Sequence, residues 1–314
     1  MSTGGSNRAI IAALGANIGI AITKFIAFLL TSSSSMLAES VHSLADSGNQ
    51  ALLLVGGKRS RQAPDVAHPF GYGRERYLYA FIVSIVLFSV GGLFALYEAW
   101  HKFADPHPID AWVWVPFVVL IAAIAMESYS FRTAVHESNR VRGKQSWVSF
   151  VRTAKAPELP VVLLEDAGAL IGLVLALGGV GMTVATGDGR WDAAGTACIG
   201  LLLVVIAIIL SIETRSLLLG ESATPADVAA VAAALVGPGV ESVIYLRTMH
   251  LGPEELLVAA KIEIGAGATA VGIAAAIDDA ETRVRAAVPI ATVIYLEPDL
   301  RRSLVPGSTQ GVQS

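Results

Sequence analysis

Residues 39–50 read Glu39-Ser40-Val41-His42-Ser43-Leu44-Ala45-Asp46-Ser47-Gly48-Asn49-Gln50. The stretch falls inside a segment, 36–57, whose pattern predicts a membrane-spanning helix, yet it carries two carboxylates and an imidazole. His42 and Asp46 are one helical turn apart, so their side chains leave the helix on one face. An imidazole nitrogen and a carboxylate oxygen form a ligand set for a first-row divalent cation. A charge near a bilayer centre costs about 2.5–3.5 kcal/mol on insertion scales, so it rarely persists without a function. The spacing therefore predicts an intramembrane metal site, with an interhelical hydrogen-bond pair as the structural alternative. Glu39, seven residues before Asp46, sits too far along the axis to share an ion with it, and reads as an entry-side carboxylate.

Composition agrees with a membrane setting. The chain has 314 residues, 54% hydrophobic and 15% charged, with a mean hydropathy of +0.62. Soluble domains carry about a quarter charged residues. Six spans are predicted, near 8–30, 36–57, 76–100, 111–134, 158–184 and 192–213, each long enough for a hydrocarbon core of about 30 Å. The fold class expected is a polytopic α-helical membrane protein with a C-terminal α+β domain. Its divisions are a transmembrane domain at 1–220, a soluble domain at 221–302 and a disordered tail at 303–314. The first seven residues lack a basic n-region, so the first span is expected to stay in place rather than be cleaved. Cys198 is the only cysteine, which excludes an intrachain disulfide and a Cys-based metal site; it reads as a small buried side chain.

Charge placement predicts orientation. Lys58, Arg59, Arg61, Arg74 and Arg76 lie between spans two and three, and Arg140, Arg142, Lys144, Arg152 and Lys155 between spans four and five. The alternate loops hold only Lys102 and Arg190. The positive-inside rule then puts both termini and the soluble domain in the cytoplasm, and a bacterial inner (plasma) membrane is the setting expected. Residues 1–220 carry 16 Lys and Arg against 15 Asp and Glu, whereas the remainder carries 6 against 11. An acidic soluble domain makes nucleic acid an unsuitable partner, and membrane lipid the neighbour of the rest. No nucleophile–base pair, phosphate loop or cofactor motif marks an enzyme.

Other polar residues read more plainly. Lys24 in the first span is placed to snorkel toward the headgroups, with a role in transport as the alternative. Glu127 in the fourth span reads as the partner of Arg132, with a proton relay as the alternative. The loop Pro64-Asp65-Val66-Ala67-His68-Pro69-Phe70-Gly71-Tyr72-Gly73-Arg74 is shaped by proline and glycine. Asp65 and His68 there make either a weak second cation site, completed by water, or a purely structural loop.

Six spans with cytoplasmic ends, the His-x-x-x-Asp of residues 42–46, the run His68-Pro-Phe-Gly-Tyr-Gly-Arg-Glu-Arg-Tyr77 and a small acidic domain resemble the cation diffusion facilitator family. The resemblance extends from about Ile10 to Arg302, and the fifth span is similar to the zinc transporter 9-like branch. It implies a homodimeric efflux transporter exchanging a divalent metal for protons, with a ferredoxin-like cytoplasmic domain that dimerises.

The same resemblance implies that the fifth span supplies ligands. Asp166 stands at the position of a family Asp, while Val162 replaces the His four residues before it. Glu165 either provides the missing ligand or faces another helix. The expected set is thus His42, Asp46 and Asp166 with Glu165, working by alternating access. Protons would displace the metal from ligands that must be deprotonated to bind it. Zn²⁺ is the expected cargo and no resident cofactor is expected. Mn²⁺, Fe²⁺ or Co²⁺ export is the alternative that oxygen ligands allow, and a non-transporting membrane scaffold is the rival outside transport. On the soluble domain, Ile244, Lys261, Tyr295 and Glu297 occupy places where some relatives carry histidines, so no binuclear centre is expected. His250 reads as a lone surface residue.

Overall fold

The structure is a computed structural model that describes residues 3–109 and 112–300, with side chains from Asn17 onward. The tail expected at 303–314 lies outside the described residues. The chain divides into two compact units between Leu218 and Leu219.

The first unit is helical. Helix α1 (Thr3–Thr31) is followed by α2 (Ser34–Arg59). Helix α3 (Glu75–Val86) then runs through a π-helical stretch, Leu87–Leu93, into α4 (Phe94–Ala104). After it come α5 (Trp114–Arg142), the short α6 (Trp147–Thr153), α7 (Glu158–Thr186) and α8 (Arg190–Leu219). Among the described residues, four helical runs are long and apolar enough to cross a membrane: Glu75–Ala104, Trp114–Arg142, Glu158–Thr186 and Arg190–Leu219. The described apolar part of α1, Asn17–Thr31, is shorter than these, and α2 is not among them. Helix α2 is long enough, but Ser, Glu, His, Asp and Asn interrupt its hydropathy. Those polar groups turn inward: Glu39, His42, Ser43, Ser47 and Asn49 are all buried, while Leu44, Leu54 and Val55 face out.

Apolar side chains cover the outside as well as the inside. On α8, Leu201, Val205, Ile208 and Ile212 are exposed in helical register, and Ile199, Leu203, Ile206 and Leu210 are buried. When lipid is as apolar as the interior, close packing of small residues holds helices together. A Cβ added at Gly179 of α7 would lie 3.0 Å from the Trp191 carbonyl oxygen and 3.4 Å from the Gly195 Cα of α8. One added at Gly92, within the π-helical stretch, would meet Val204 Cγ2 at 2.7 Å and its backbone nitrogen at 3.2 Å. Cys198 is exposed on the outward face of α8, correcting its reading as a buried side chain.

Polar contacts fix both ends of the helices. At one end the Arg76 guanidinium donates to Glu158, joining the starts of α3 and α7. At the other, the α1–α2 turn passes through Ser32 at a positive φ of 53°. Lys102 Nζ donates to the Ser32 carbonyl at 3.1 Å. Asp192, fully buried at the start of α8, accepts from Ser33 Oγ at 2.9 Å, from Ser34 N at 2.7 Å and from Ser34 Oγ at 3.1 Å. A carboxylate there satisfies orphan N–H groups and meets the positive end of the α2 dipole.

The second unit runs helix, strand, strand, helix, strand: α9 (Pro225–Leu235), β1 (Ser242–Gly252), β2 (Glu255–Glu263), α10 (Ala270–Ala287) and β3 (Val293–Asp299). Proline at the first helical position and Thr224 Oγ1, accepting from Asp227 N at 3.2 Å, start α9. Strands β1 and β2 pair antiparallel around a two-residue turn, Pro253-Glu254, and β2 and β3 pair parallel with α10 as the crossover. Leu256, Val258, Ala260 and Ile262 alternate into a core shared with Val231, Leu235 and Val284. On the opposite face Lys261 Nζ lies 3.0 Å from both Glu297 Oε1 and Asp299 Oδ2. Hydrogen bonding to Glu297 and then Asp299 raises the Lys261 pKa. His250 is buried, with Nδ1 3.2 Å from the Gly252 carbonyl oxygen. It is not the surface residue expected.

Candidate metal centre

Helix α2 organises the site because its polar positions repeat every three or four residues. His42, Asp46 and Asn49 stand at i, i+4 and i+7, within about 60° of one another around the axis. His42 Nε2 and Asp46 Oδ2 are 3.5 Å apart, and the imidazole is almost wholly enclosed. Neither ring nitrogen of His42 has a hydrogen-bond partner, and neither does Asp46 Oδ1. Buried polar groups without partners are costly, so donors left open in this way mark a place for a ligand. The ring is packed beside Gly91 of the π-helical stretch, where an added Cβ would come within 4.0 Å of Nδ1.

Helix α7 presents its two acids to different neighbours. Glu165 Oε1 accepts from Asn49 Nδ2 of α2 at 2.7 Å, whereas Asp166 Oδ2 accepts from Ser130 Oγ of α5 at 2.8 Å. The roughly 100° step between consecutive helical residues produces this divergence. Both carboxylates are nevertheless near enough to Asp46 to interact with it electrostatically. Among the described residues, no group of three or more His, Cys, Asp or Glu side chains is drawn into a finished metal cage. Helices α2 and α7 therefore bring His42, Asp46, Glu165 and Asp166 to one polar core, with only the first two in direct apposition.

Three further groups, Lys24, Glu39 and Glu127, line that core in ways the sequence reading missed. Lys24 does not snorkel. It is 1% exposed, and its Nζ donates to Glu39 Oε2 at 3.0 Å and to Ser43 Oγ at 2.8 Å. Glu39, at 0% exposure, is consequently an internal counter-ion rather than an entry-side carboxylate. Gly172 of α7 makes room for it, since a Cβ there would lie 2.8 Å from Glu39 Oε1. Glu127 of α5 is buried and interacts with Asp46, Lys24, Asp166 and His42. No ion pair joins it to Arg132, contrary to the pairing expected. A cation facing an acid across two helices was the readable signal for Lys24 and Glu39, but snorkelling explains an isolated intramembrane Lys equally well.

The loop after α2 is ordered from within. Asp65 Oδ1 accepts from the His68 backbone N–H at 2.7 Å, and Oδ2 accepts from the Tyr72 hydroxyl at 2.7 Å. His68 Nδ1 is 3.5 Å from Asp65 Oδ1, and its ring lies 4.4 Å from that of Tyr72. The Tyr72 hydrogen bond, and then the His68 amide, hold the Asp65 carboxyl below its ordinary pKa; the same bond raises that of Tyr72. Where α5 ends, the Arg142 guanidinium lies 4.2 Å above the ring of Trp147, which opens α6.

Comparison with known proteins adds independent information. Residues 10–219 match the family described as cation efflux transmembrane domain. The human mitochondrial proton-coupled zinc antiporter SLC30A9 is 32% identical over 232 residues, covering 73% of this chain and 41% of that protein. Metal tolerance protein C4 of Arabidopsis thaliana is 28% identical over 265 residues, covering 82% of this chain and 57% of its own length. Zinc transporter ZitB of Pectobacterium atrosepticum is 31% identical over 121 residues, covering 38% of this chain and 36% of its own. The chain thus spans about two fifths of the length of the human relative.

Proposed function

Because the chain belongs to the cation efflux, or cation diffusion facilitator, family, we propose that it exports a divalent metal cation, Zn²⁺ foremost, in exchange for protons. The observation that carries this reading is the His42–Asp46 pair, buried, 3.5 Å apart and with neither ring nitrogen in a hydrogen bond. The names of the zinc antiporter and zinc transporter relatives support the choice of metal and of proton coupling.

In this reading six helices span the membrane: α1, α2, the run α3–α4, α5, α7 and α8. The small α+β unit is a ferredoxin-like domain on the cytoplasmic side, where both termini lie, and two copies of the chain form a homodimer in a plasma membrane. His42 and Asp46 take the ion first from the cytoplasmic side. Asp166 and Glu165 complete its shell as α2 and α7 rock relative to one another. Imidazole and carboxylates bind metal only when deprotonated, so protons entering from the far side discharge the ion. Asp65 and His68 form a second, weak site at the surface, because the metal must compete there with the internal bonds of the loop.

The test is transport by the full chain in proteoliposomes containing a metal-sensitive dye. Asp46→Ala and Asp166→Ala should each abolish Zn²⁺-dependent fluorescence, and a pH gradient should set its rate. Undiminished flux in either variant would remove the intramembrane site.

A further inference from the structure

Lys24 is a cation built into the bundle, and its setting shows how a cation is held there. Its Nζ donates to Glu39 Oε2 at 3.0 Å and to Ser43 Oγ at 2.8 Å, and all three side chains are buried. Glu39 and Ser43 stand at i and i+4 of α2, so both oxygens reach the ammonium from one face. The carboxylate is not saturated by this contact. Its other oxygen, Oε1, is enclosed without a hydrogen bond, beside the gap that Gly172 leaves by having no side chain. A sealed carboxylate oxygen with spare acceptor capacity is unfavourable in a purely structural ion pair and useful in a site that changes occupant.

Glu39 precedes His42 by three residues, about 4.5 Å along the axis, and Asp46 by seven, about 10.5 Å. It is too far to share an ion with Asp46 and near enough to receive one from His42. Around the axis, Glu39, His42, Ser43 and Asp46 fall within about 100° of one another and form one polar stripe. Lys24 and Glu39 both interact electrostatically with His42 and with Asp46.

We propose that Glu39 and Ser43 form a second station for the transported cation, beyond His42 on the side away from the cytoplasm, and that the Lys24 ammonium fills it between transport events. This rests on the intramembrane site proposed above and extends its route. A divalent ion leaving His42 takes the Glu39 carboxylate and the Ser43 hydroxyl, with water completing its shell once that side opens. The flexible stem of Lys24 turns the displaced ammonium toward Asp46 and Glu127, carboxylates it already interacts with. The acid that the metal leaves behind thus gains a cation in turn. Release requires a station that binds weakly, and an oxygen-only site contested by a tethered ammonium meets that need.

The test combines Zn²⁺ transport by the full chain in proteoliposomes with calorimetric Zn²⁺ binding to the purified chain in detergent. The double variant, Lys24→Met with Glu39→Met, removes the station and its occupant together while keeping volume. It should hold the Zn²⁺ affinity of the His42–Asp46 site within about threefold and lose at least about tenfold in transport rate, the mark of a group used after binding. A merely structural pair, replaced on both sides, would leave the rate as it was. Lys24→Met alone empties the station, so that chain should bind one more Zn²⁺ than the parent, and adding Glu39→Met should remove that ion. Parental transport by the double variant, or an affinity that falls in step with its rate, would overturn the proposal. Folded Lys24→Met without the additional ion would do the same; if that variant does not fold, the double variant decides. Asp46→Ala keeps the two levels apart. If it abolishes the first Zn²⁺ while the double variant transports as the parent does, only the station falls. If it leaves Zn²⁺ binding intact, the intramembrane site falls and the station with it.

Discussion

Replacing Lys24 by Met should destabilise the helical unit strongly, and replacing Glu39 as well should undo most of the damage. The pair is 3.0 Å long with both groups essentially sealed from solvent. At an effective dielectric of about 20, Coulomb attraction at that distance is worth about 5 kcal/mol. Most of that is offset by the cost of taking both charges out of water. Removing the cation alone leaves the Glu39 carboxylate buried, with Oε1 already unpartnered and Gly172 behind it. Losing one member of a buried pair costs about 3–5 kcal/mol, whereas replacing both by apolar groups of similar volume is close to neutral. The assay is thermal unfolding of the purified protein in detergent for the parent, Lys24→Met, Glu39→Met and the double variant. The double-mutant cycle should return a coupling of at least about 2 kcal/mol. Additive single effects, or a Lys24→Met shift under about 1 kcal/mol, would mean that Lys24 reaches the interface instead of Glu39.

Two other perturbations probe the ends of the helices. Asp192→Ala removes the acceptor of four hydrogen bonds at the start of α2, two of them from side chains, and should lower stability by about 2–4 kcal/mol; thermal unfolding equal to the parent would refute a capping role. In the loop, Asp65 has a depressed pKa, so its ordering contribution is present above the ordinary value of about 3.9 and lost as pH falls through the lower folded value. Tyr72→Phe deletes the largest cause, so the pH at which pepsin begins to cut the loop should move upward, and an unmoved midpoint would argue against the bond.

What could be read in advance followed from local pattern. The runs Glu75–Ala104, Glu158–Thr186 and Arg190–Leu219 are visible as long apolar stretches, and the alternation in β2 is visible as alternating Leu, Val, Ala and Ile. Helix α2 was legible for a different reason: His42 and Asp46 share a face at any register of the helix, so their apposition needs no tertiary information. Lys24 with Glu39, Asn49 with Glu165, and Asp192 with Ser33 were not legible. Each joins two helices whose relative rotation is set by packing, and a sequence does not state which faces meet. The π-helical stretch was hidden likewise, because Leu-Phe-Ser-Val-Gly-Gly-Leu differs little in composition from the α-helix on either side. The place of Glu127 is not legible in sequence, because the positively charged neighbour Arg132 stands five residues away while the groups it meets, Asp46, Lys24, Asp166 and His42, lie on other helices.

The capping of α2 by Asp192 bears on the order in which the chain is built. Ser34 N and Asp192 Oδ2 are separated by 158 residues of sequence. During synthesis α2 is made well before α8 exists, and in the proposed six-helix bundle a bilayer offers no water to satisfy its first turn. Until α8 arrives, that turn must remain at the aqueous boundary or borrow Ser33 Oγ, which accepts only from Met36 N. The carboxylate that closes the bundle thus comes late, and the helix bearing His42 and Asp46 cannot take its final depth before the sixth long helical run has been made.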